Sequence, residues 1–138
     1  MDSFVDNIKM SAAVLYQKDG IPQYTEDFPE PVVQNDNELL ISMKASAIKH
    51  LDKSRASGKH YSAPENIASA KVPGGDGVGL LEDGTRVFAL GVSGMMAEKA
   101  VAEKNTIIKL PDGLDDITAA ALPSAVAGSA AALRFRGQ

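Results

Sequence analysis

The sequence predicts a mainly β domain with short helices. Apolar and polar side chains alternate from residue 38 to residue 46, which is the period of a half-buried strand. Other short apolar runs are separated by turns that contain Gly or Pro, and an Ala-rich stretch is confined to residues 117–135. A length of 138 residues fits one domain.

The bounds of the strands and helices are predicted from these periods and from the turn residues that separate them. Helical spacing from Ile48 to Arg55 predicts a short helix that ends near Gly58. A turn at residues 82–84 joins two runs into a hairpin. The predicted strands are residues 11–16, 23–28, 38–46, 71–81, 86–90, 95–102 and 106–110.

The C-terminal segment predicts two helices that meet at Pro123. Asp115 or Asp116 caps the first, which runs through residues 117–122, and the second covers residues 124–135. In a β-rich domain such an Ala-rich helix has little to bury against, so we expect a further element downstream of it.

Composition excludes several classes of function. The chain has 14 Lys and Arg against 18 Asp and Glu, a net charge of −4, which argues against a nucleic-acid or anionic-membrane partner. Because cysteine is absent, disulfides, thiolate nucleophiles and Cys-ligated zinc are excluded, and two histidines are too few for a His-only metal site. Residues 1–10 lack the features of a secretory signal and are expected to form a flexible leader on a cytoplasmic protein.

The glycine run at residues 74–79 does not fit a nucleotide-binding loop. No G-x-G-x-x-G spacing passes through it, and it lacks the Lys and Ser or Thr of a phosphate loop. We therefore expect a kinked or bulged strand in which only glycine fits. Asp76 is expected to be a solvated turn residue or an acceptor for backbone amides rather than a catalyst.

Several segments, taken in order, resemble the medium-chain dehydrogenase/reductase superfamily. The resemblance covers about residues 11–136 and is closest to the zinc-free quinone oxidoreductase branch. The segments are PGGDGVG at 73–79, similar to PGxDxxG; GTRV at 84–87, similar to GDRV; GMMAE at 94–98, similar to GGYAE; and LPDGL at 110–114 with AAALP at 119–123, similar to LPxxL…AAALP.

The resemblance implies an architecture and an activity. Residues 11–122 would form the GroES-like catalytic domain, a partly open β-barrel, and residues 123–138 a helix leading to a Rossmann domain that these 138 residues do not contain. The family reduces quinones, enones or aldehydes with NADPH, as homodimers. Because a dinucleotide needs a strand, a glycine-rich turn and a helix N-terminus, this polypeptide alone is expected neither to bind NADPH well nor to turn over.

Two other functions remain open on the same scaffold. One is an enoyl or acryloyl thioester reductase, and the other is a non-catalytic GroES-like binding module. Fold analogy does not distinguish the thioester reductase from the quinone oxidoreductase, because the substrate is set by loops and by a domain outside these residues.

The resemblance also implies the site residues. Lys49 stands where zinc-free relatives carry Asn near the nicotinamide and the substrate, so it is a candidate for catalysis and for cofactor binding, or else a solvated lysine. His50 is a candidate proton donor or a surface residue, and Asp52 is a candidate catalytic residue, a helix cap or an ion-pair partner. Gly128 replaces a Thr that contacts the nicotinamide amide in relatives, and Ser129 could supply the hydroxyl instead.

Overall fold

The structure is a computed structural model that describes residues 8–16, 20–49, 52–53 and 70–131. Its elements are the strands β1 (Lys9–Val14), β2 (Gln23–Pro29), β3 (Glu38–Ala45), β4 (Asp76–Leu80), β5 (Arg86–Leu90), β6 (Lys99–Glu103) and β7 (Ile108–Lys109), a short 3-10 helix (Lys104–Thr106) and the helix α1 (Asp116–Ala131).

The strands form two antiparallel sheets. One sheet pairs β1 with β2, and the other has the order β6-β3-β4-β5-β7. A bridge between Gly91 and Ala102 brings the end of β5 to β6, and a bridge between Ala12 and Ala97 joins β1 to the segment before β6. These bridges curl the sheets toward each other without closing them, which confirms the predicted mainly β, partly open barrel.

The strand predicted over residues 95–102 begins too early, since β6 starts at Lys99. Met95 and Met96 donate their backbone N–H groups to the carbonyls of Gly74 and Pro73, at 3.1 and 3.0 Å, instead of pairing with β3. Glu98 then accepts the backbone N–H of Ser11 at 2.5 Å, and this hydrogen bond lowers the pKa of Glu98. The segment before β6 therefore bonds to the loop before β4 and to β1.

Among the described residues the core consists of three clusters: two lie on opposite faces of β4 and β5, and the third is formed by Met10, Ala12 and Val14 of β1. Strand β3 contributes Ile41 to the interior of the barrel, in agreement with its predicted alternation. The outer face carries Val78 and Phe88, which pack against Ala119 and Ala120 of α1. The interior cluster consists of Ile41, Val87, Ala89, Met95, Ala100 and Ala102.

Helix α1 differs from the prediction in two ways. It is one helix that runs through Pro123, where two were predicted; proline costs a helix one hydrogen bond, but the flanking alanines favour helix on both sides. The expectation that it has little to bury against is wrong for its first turns, since Ala119 and Ala120 cover Val78 and Phe88. The domain division at residue 122 stays a prediction.

The start of α1 is fixed by two acidic residues. The Asp115 carboxylate accepts the N–H of Thr118 at 2.6 Å, which is an N-cap. Asp116 accepts hydrogen bonds from Arg86 of β5, at 2.7 Å from Nη2 and 3.1 Å from Nε. The helix is thus tied to the sheet at its first residue.

Glycine allows β4 to lie unusually close to β3. A Cβ added at Gly79 would meet Cγ2 of Ile41 and the carbonyl oxygen of Ser42, each at 2.5 Å. A Cβ at Gly77 would lie 2.5 Å from Cε of Met43. Because a carbonyl cannot yield as a side chain can, only glycine fits at position 79, as the sequence predicted.

Gly79→Ala is expected to lower the free energy of unfolding by about 1–3 kcal/mol, since the added methyl group overpacks against β3. Urea denaturation measures the change. Gly113→Ala is the matched control, because a Cβ there meets nothing within 4 Å, and we expect a change within about 0.5 kcal/mol. Equal effects of the two substitutions would contradict the close approach of β3 and β4.

The hydrogen bonds from Thr118 hold the pKa of Asp115 below its ordinary value. This carboxylate therefore stabilises the fold fully above its unfolded-state pKa, and the contribution is lost as the pH falls through its lower folded-state pKa. Asn at position 115 can still cap the helix but does not titrate. As the pH falls through that acid range, the free energy of unfolding of Asp115→Asn should therefore fall less steeply than that of the unaltered protein. Urea titrations at a series of acid pH values measure the slope, and an unchanged slope would contradict the assignment.

Candidate active site

Lys49 lies where the chain leaves β3 and begins a helical turn. The backbone N–H of Lys53 donates to the carbonyl of Lys49 at 3.2 Å, as at the start of a helix. The Asp52 carboxylate reaches back and accepts the backbone N–H of Lys49 at 3.0 Å. An acidic side chain that returns to the N-cap amide is one half of a capping box, so Asp52 fixes the backbone of Lys49.

The Lys49 ammonium lies between two carboxylates. Its Nζ is 2.6 Å from Oδ1 of Asp76 and 3.6 Å from Oδ2 of Asp52, and it also donates to the carbonyl of Ala47 at 3.1 Å. The side chains of Lys49, Asp76 and Asp52 are only 18%, 13% and 5% exposed, respectively. We refer to these three residues as the Lys49 cluster.

The strand β4 brings Asp76 to this position. Asp76 is the first residue of β4, and its carbonyl accepts a hydrogen bond from Oγ of Ser46 at 2.8 Å. Ser46 directly follows β3. The two halves of the ion pair are therefore held by the same pair of adjacent strands.

An apolar cavity adjoins the Lys49 cluster. It is open to one side and has a volume of about 400 Å³, and Asp52 lies in its wall together with Ile48, the residue before Lys49. The described part of its wall is otherwise mostly apolar, and the described lining residues are Ala13, Gly20, Ile21, Pro22, Ile48, Asp52, Lys53, Pro73 and Met96. Pockets of this size and character take small, largely apolar molecules oriented by a few polar groups.

The cluster holds a charged hydrogen-bond donor close to the wall of this cavity, because Asp52, which forms an ion pair with Lys49, is part of that wall. An ammonium has three N–H donors, and among the described residues two carbonyl or carboxylate oxygens accept from it within hydrogen-bond distance. Oδ2 of Asp52 lies 3.6 Å from Nζ, beyond hydrogen-bond distance. A charged donor held in a site with little water strongly stabilises an oxygen that gains negative charge.

The structure brings together two of the predicted site residues. Lys49 and Asp52 are neighbours, and the alternative of a fully solvated lysine is wrong. His50 lies outside the described residues. Gly128 and Ser129 belong to α1, and the structure does not describe the surroundings of the Ser129 side chain.

Asp76 is a residue of the candidate site that the sequence did not predict. It was expected to be a solvated turn residue or an acceptor for backbone amides, whereas it begins β4 and accepts a hydrogen bond from a lysine side chain. The available signal was the single acidic residue within a tight glycine run. Such a position must lie close to a neighbouring strand, and Lys49 follows the strand that could be that neighbour.

The glycine run does not form a phosphate-binding loop. Gly77 and Gly79 lie within β4 and face β3 at contact distance, so their amides belong to the sheet. The described residues that contain this run therefore do not fit the pyrophosphate of a dinucleotide, which needs amides at a helix N-terminus after a strand.

Two kinds of site are absent from residues 8–16, 20–49, 52–53 and 70–131. Within these ranges no group of three or more His, Asp or Glu side chains could hold a metal ion. No helix there has the length and apolarity that a membrane crossing requires.

Neither the scan of protein-family models nor the comparison with curated protein sequences gives a match. Solved structures do match. The quinone oxidoreductase from Thermus thermophilus, solved also in complex with NADPH, has 29% identity and a TM-score of 0.79 over 91% of this chain. The human synaptic vesicle membrane protein VAT-1 homolog-like protein has 25% identity and a TM-score of 0.80 over 94% of it. The quinone oxidoreductase from Coxiella burnetii has 22% identity and a TM-score of 0.74 over 91%.

The match defines the class of fold. The chain spans 40%, 44% and 44% of the lengths of these three structures. Its fold is that of the N-terminal part of quinone oxidoreductases of the medium-chain dehydrogenase/reductase superfamily, which confirms the resemblance seen in the sequence.

Lys49→Met is expected to destabilise the fold by about 2–4 kcal/mol, because it leaves two largely buried carboxylates without their cation. Asp76→Asn in the same chain should recover part of that loss. Urea denaturation of both single variants and the double variant gives the coupling free energy, which we expect to be about 1–3 kcal/mol. Strict additivity would show that the pair does not interact.

Proposed function

We propose that this chain forms the acceptor side of the active site of an NADPH-dependent, zinc-independent oxidoreductase that reduces quinones, enones or aldehydes. The observation that carries the proposal is the Lys49 ammonium, held by Asp76 at 2.6 Å beside an apolar cavity. The likeness to the Thermus quinone oxidoreductase, solved with NADPH, supports the reaction class.

Lys49 supplies the electrophilic assistance. When a hydride adds to a carbonyl or quinone, the electron pair of the C=O bond moves to oxygen, which becomes negative and then takes up a proton. A fixed ammonium donates a charge-assisted hydrogen bond to that oxygen and so stabilises the transition state without a metal. In this proposal His50, the next residue along the chain, is the proton donor.

The cavity holds the rest of the acceptor. Its wall of Ile21, Pro22, Ile48, Pro73 and Met96 suits a flat apolar ring and excludes water from the reacting oxygen. Asp52 fixes the backbone at which both Ile48 and Lys49 enter the site. Lys49 and the apolar wall residue Ile48 are therefore held by one short segment.

NADPH, when bound, would supply the hydride. We place its pyrophosphate outside these 138 residues and propose that Lys49, Gly128 and Ser129 lie on the nicotinamide side. A cytoplasmic homodimer, as the family resemblance implies, belongs to the same proposal.

The proposal predicts that the chain prefers a ketone to a hydrocarbon of the same shape. α-Tetralone should bind about tenfold more tightly than tetralin, since one charge-assisted hydrogen bond is at stake. Lys49→Gln should bring the two affinities together and leave that of tetralin unchanged. NMR titration measures both, with the methyl signals of Ile21, Ile48 and Met96 as reporters.

Equal affinities in the unaltered chain would contradict the role of Lys49. NADPH is titrated into the same samples, and tight binding by the 138 residues would contradict the proposed division of the site. Turnover is measured on a fusion in which this chain replaces the equivalent part of the Thermus enzyme, with a quinone and an enoyl thioester as competing acceptors. A folded fusion that binds NADPH but reduces neither acceptor would contradict the reaction class.

A further inference from the structure

The two aspartates of the Lys49 cluster do different things. Asp52 accepts the backbone N–H of Lys49 at 3.0 Å, while its nearest approach to Nζ is 3.6 Å, beyond hydrogen-bond distance. Asp76 makes the hydrogen bond to Nζ itself, at 2.6 Å. Asp52 therefore fixes where the main chain of Lys49 lies, and Asp76 fixes where its ammonium lies.

Asp76 is well placed to hold a flexible side chain still. It is 27 residues from Lys49 in the sequence, so the contact joins two separate segments. Its own backbone is fixed by the Ser46 hydroxyl at 2.8 Å and by its pairing with Leu90 of β5. At the next residue, Gly77, β4 approaches β3 so closely that Asp76 has little room to shift.

We infer that Asp76 is a positioning residue for Lys49: it holds the ammonium in one place beside the apolar cavity, from which it can donate to an acceptor oxygen. A lysine side chain has four rotatable bonds, and ordering them costs entropy that a single short, largely buried ion pair offsets. Without Asp76 the ammonium can move toward Asp52 and the solvent. The inference rests on the proposed function for what the donor meets, but the positioning itself can be measured without any ligand.

The first measurement is the rate at which an amine-acylating reagent modifies Lys49, followed by peptide mass spectrometry. Asp76→Asn should raise that rate about tenfold, the factor that corresponds to the loss of one charge-assisted hydrogen bond. Asp76→Glu keeps the charge and should keep the rate close to that of the unaltered protein. Lys99, which donates to Ser42 at 2.7 Å, serves as an internal reference.

Asp83→Asn is the matched control. Asp83 lies in the exposed turn at the other end of β4, so the substitution removes a carboxylate from the same hairpin without touching the cluster. It should leave the labelling of Lys49 unchanged. Thermal unfolding of each variant shows whether it is folded at the labelling temperature.

The second measurement separates positioning from a general structural role. In Asp76→Asn the affinity for α-tetralone should fall to that for tetralin, while the affinity for tetralin stays the same; a deformed cavity would weaken both. Unchanged labelling of Lys49 in a folded Asp76→Asn protein would overturn the inference, whatever the ketone does. Raised labelling without any ketone preference in the unaltered chain would support the positioning and contradict the proposed function.

Discussion

The close approach of β3 and β4 is the constraint on which the candidate site depends. Side chains are missing at Gly77 and Gly79, so β4 packs against the backbone of β3 at a distance that no Cβ would allow. Asp76 enters β4 at the end of the sheet where Ser46 and Lys49 leave β3. The glycine run therefore acts through geometry. It sets the distance between β3 and β4, and so the distance between the Asp76 carboxylate of β4 and the ammonium of Lys49, which follows β3.

The same hairpin positions the helix on the outer face. Arg86 begins β5, and its guanidinium binds Asp116 and the carbonyl of Leu114, at 2.7 and 2.5 Å from Nη2. This interaction places the start of α1 over Val78 and Phe88, and the small side chains of Ala119 and Ala120 allow the helix to lie close to the sheet. Strands β4 and β5 are consequently buried on both faces, and this explains why they read in the sequence as short continuous apolar runs rather than as alternating ones.

The sequence predicts the local features of this structure but few of the contacts between segments that are distant in the chain. Alternation identifies β3 because one of its faces is buried and the other meets solvent, and the turn at residues 82–84 identifies the β4–β5 hairpin. The pairing of Lys49 with Asp76 has no period and no local signal, since it depends on which strands are neighbours. The same is true of α1, whose alanines look unpartnered until the outer face of the hairpin is known. The predicted helix break at Pro123 is wrong for the opposite reason. The local tendency of proline to end a helix is outweighed by the helix preference of the neighbouring residues.

The charges of the Lys49 cluster bear on the kind of acceptor that the site suits. The family resemblance places a neutral Asn at this position, and a lysine there adds a charge that would be costly to bury alone. Asp52 and Asp76 together outnumber it, so the cluster carries no net positive charge with which to attract an anion. What it offers is one directed donor in a setting that already contains two carboxylates. If the proposed function is correct, such a site would favour a neutral acceptor whose oxygen becomes negative only during the reaction, because both aspartates would repel an acceptor that arrived as an anion.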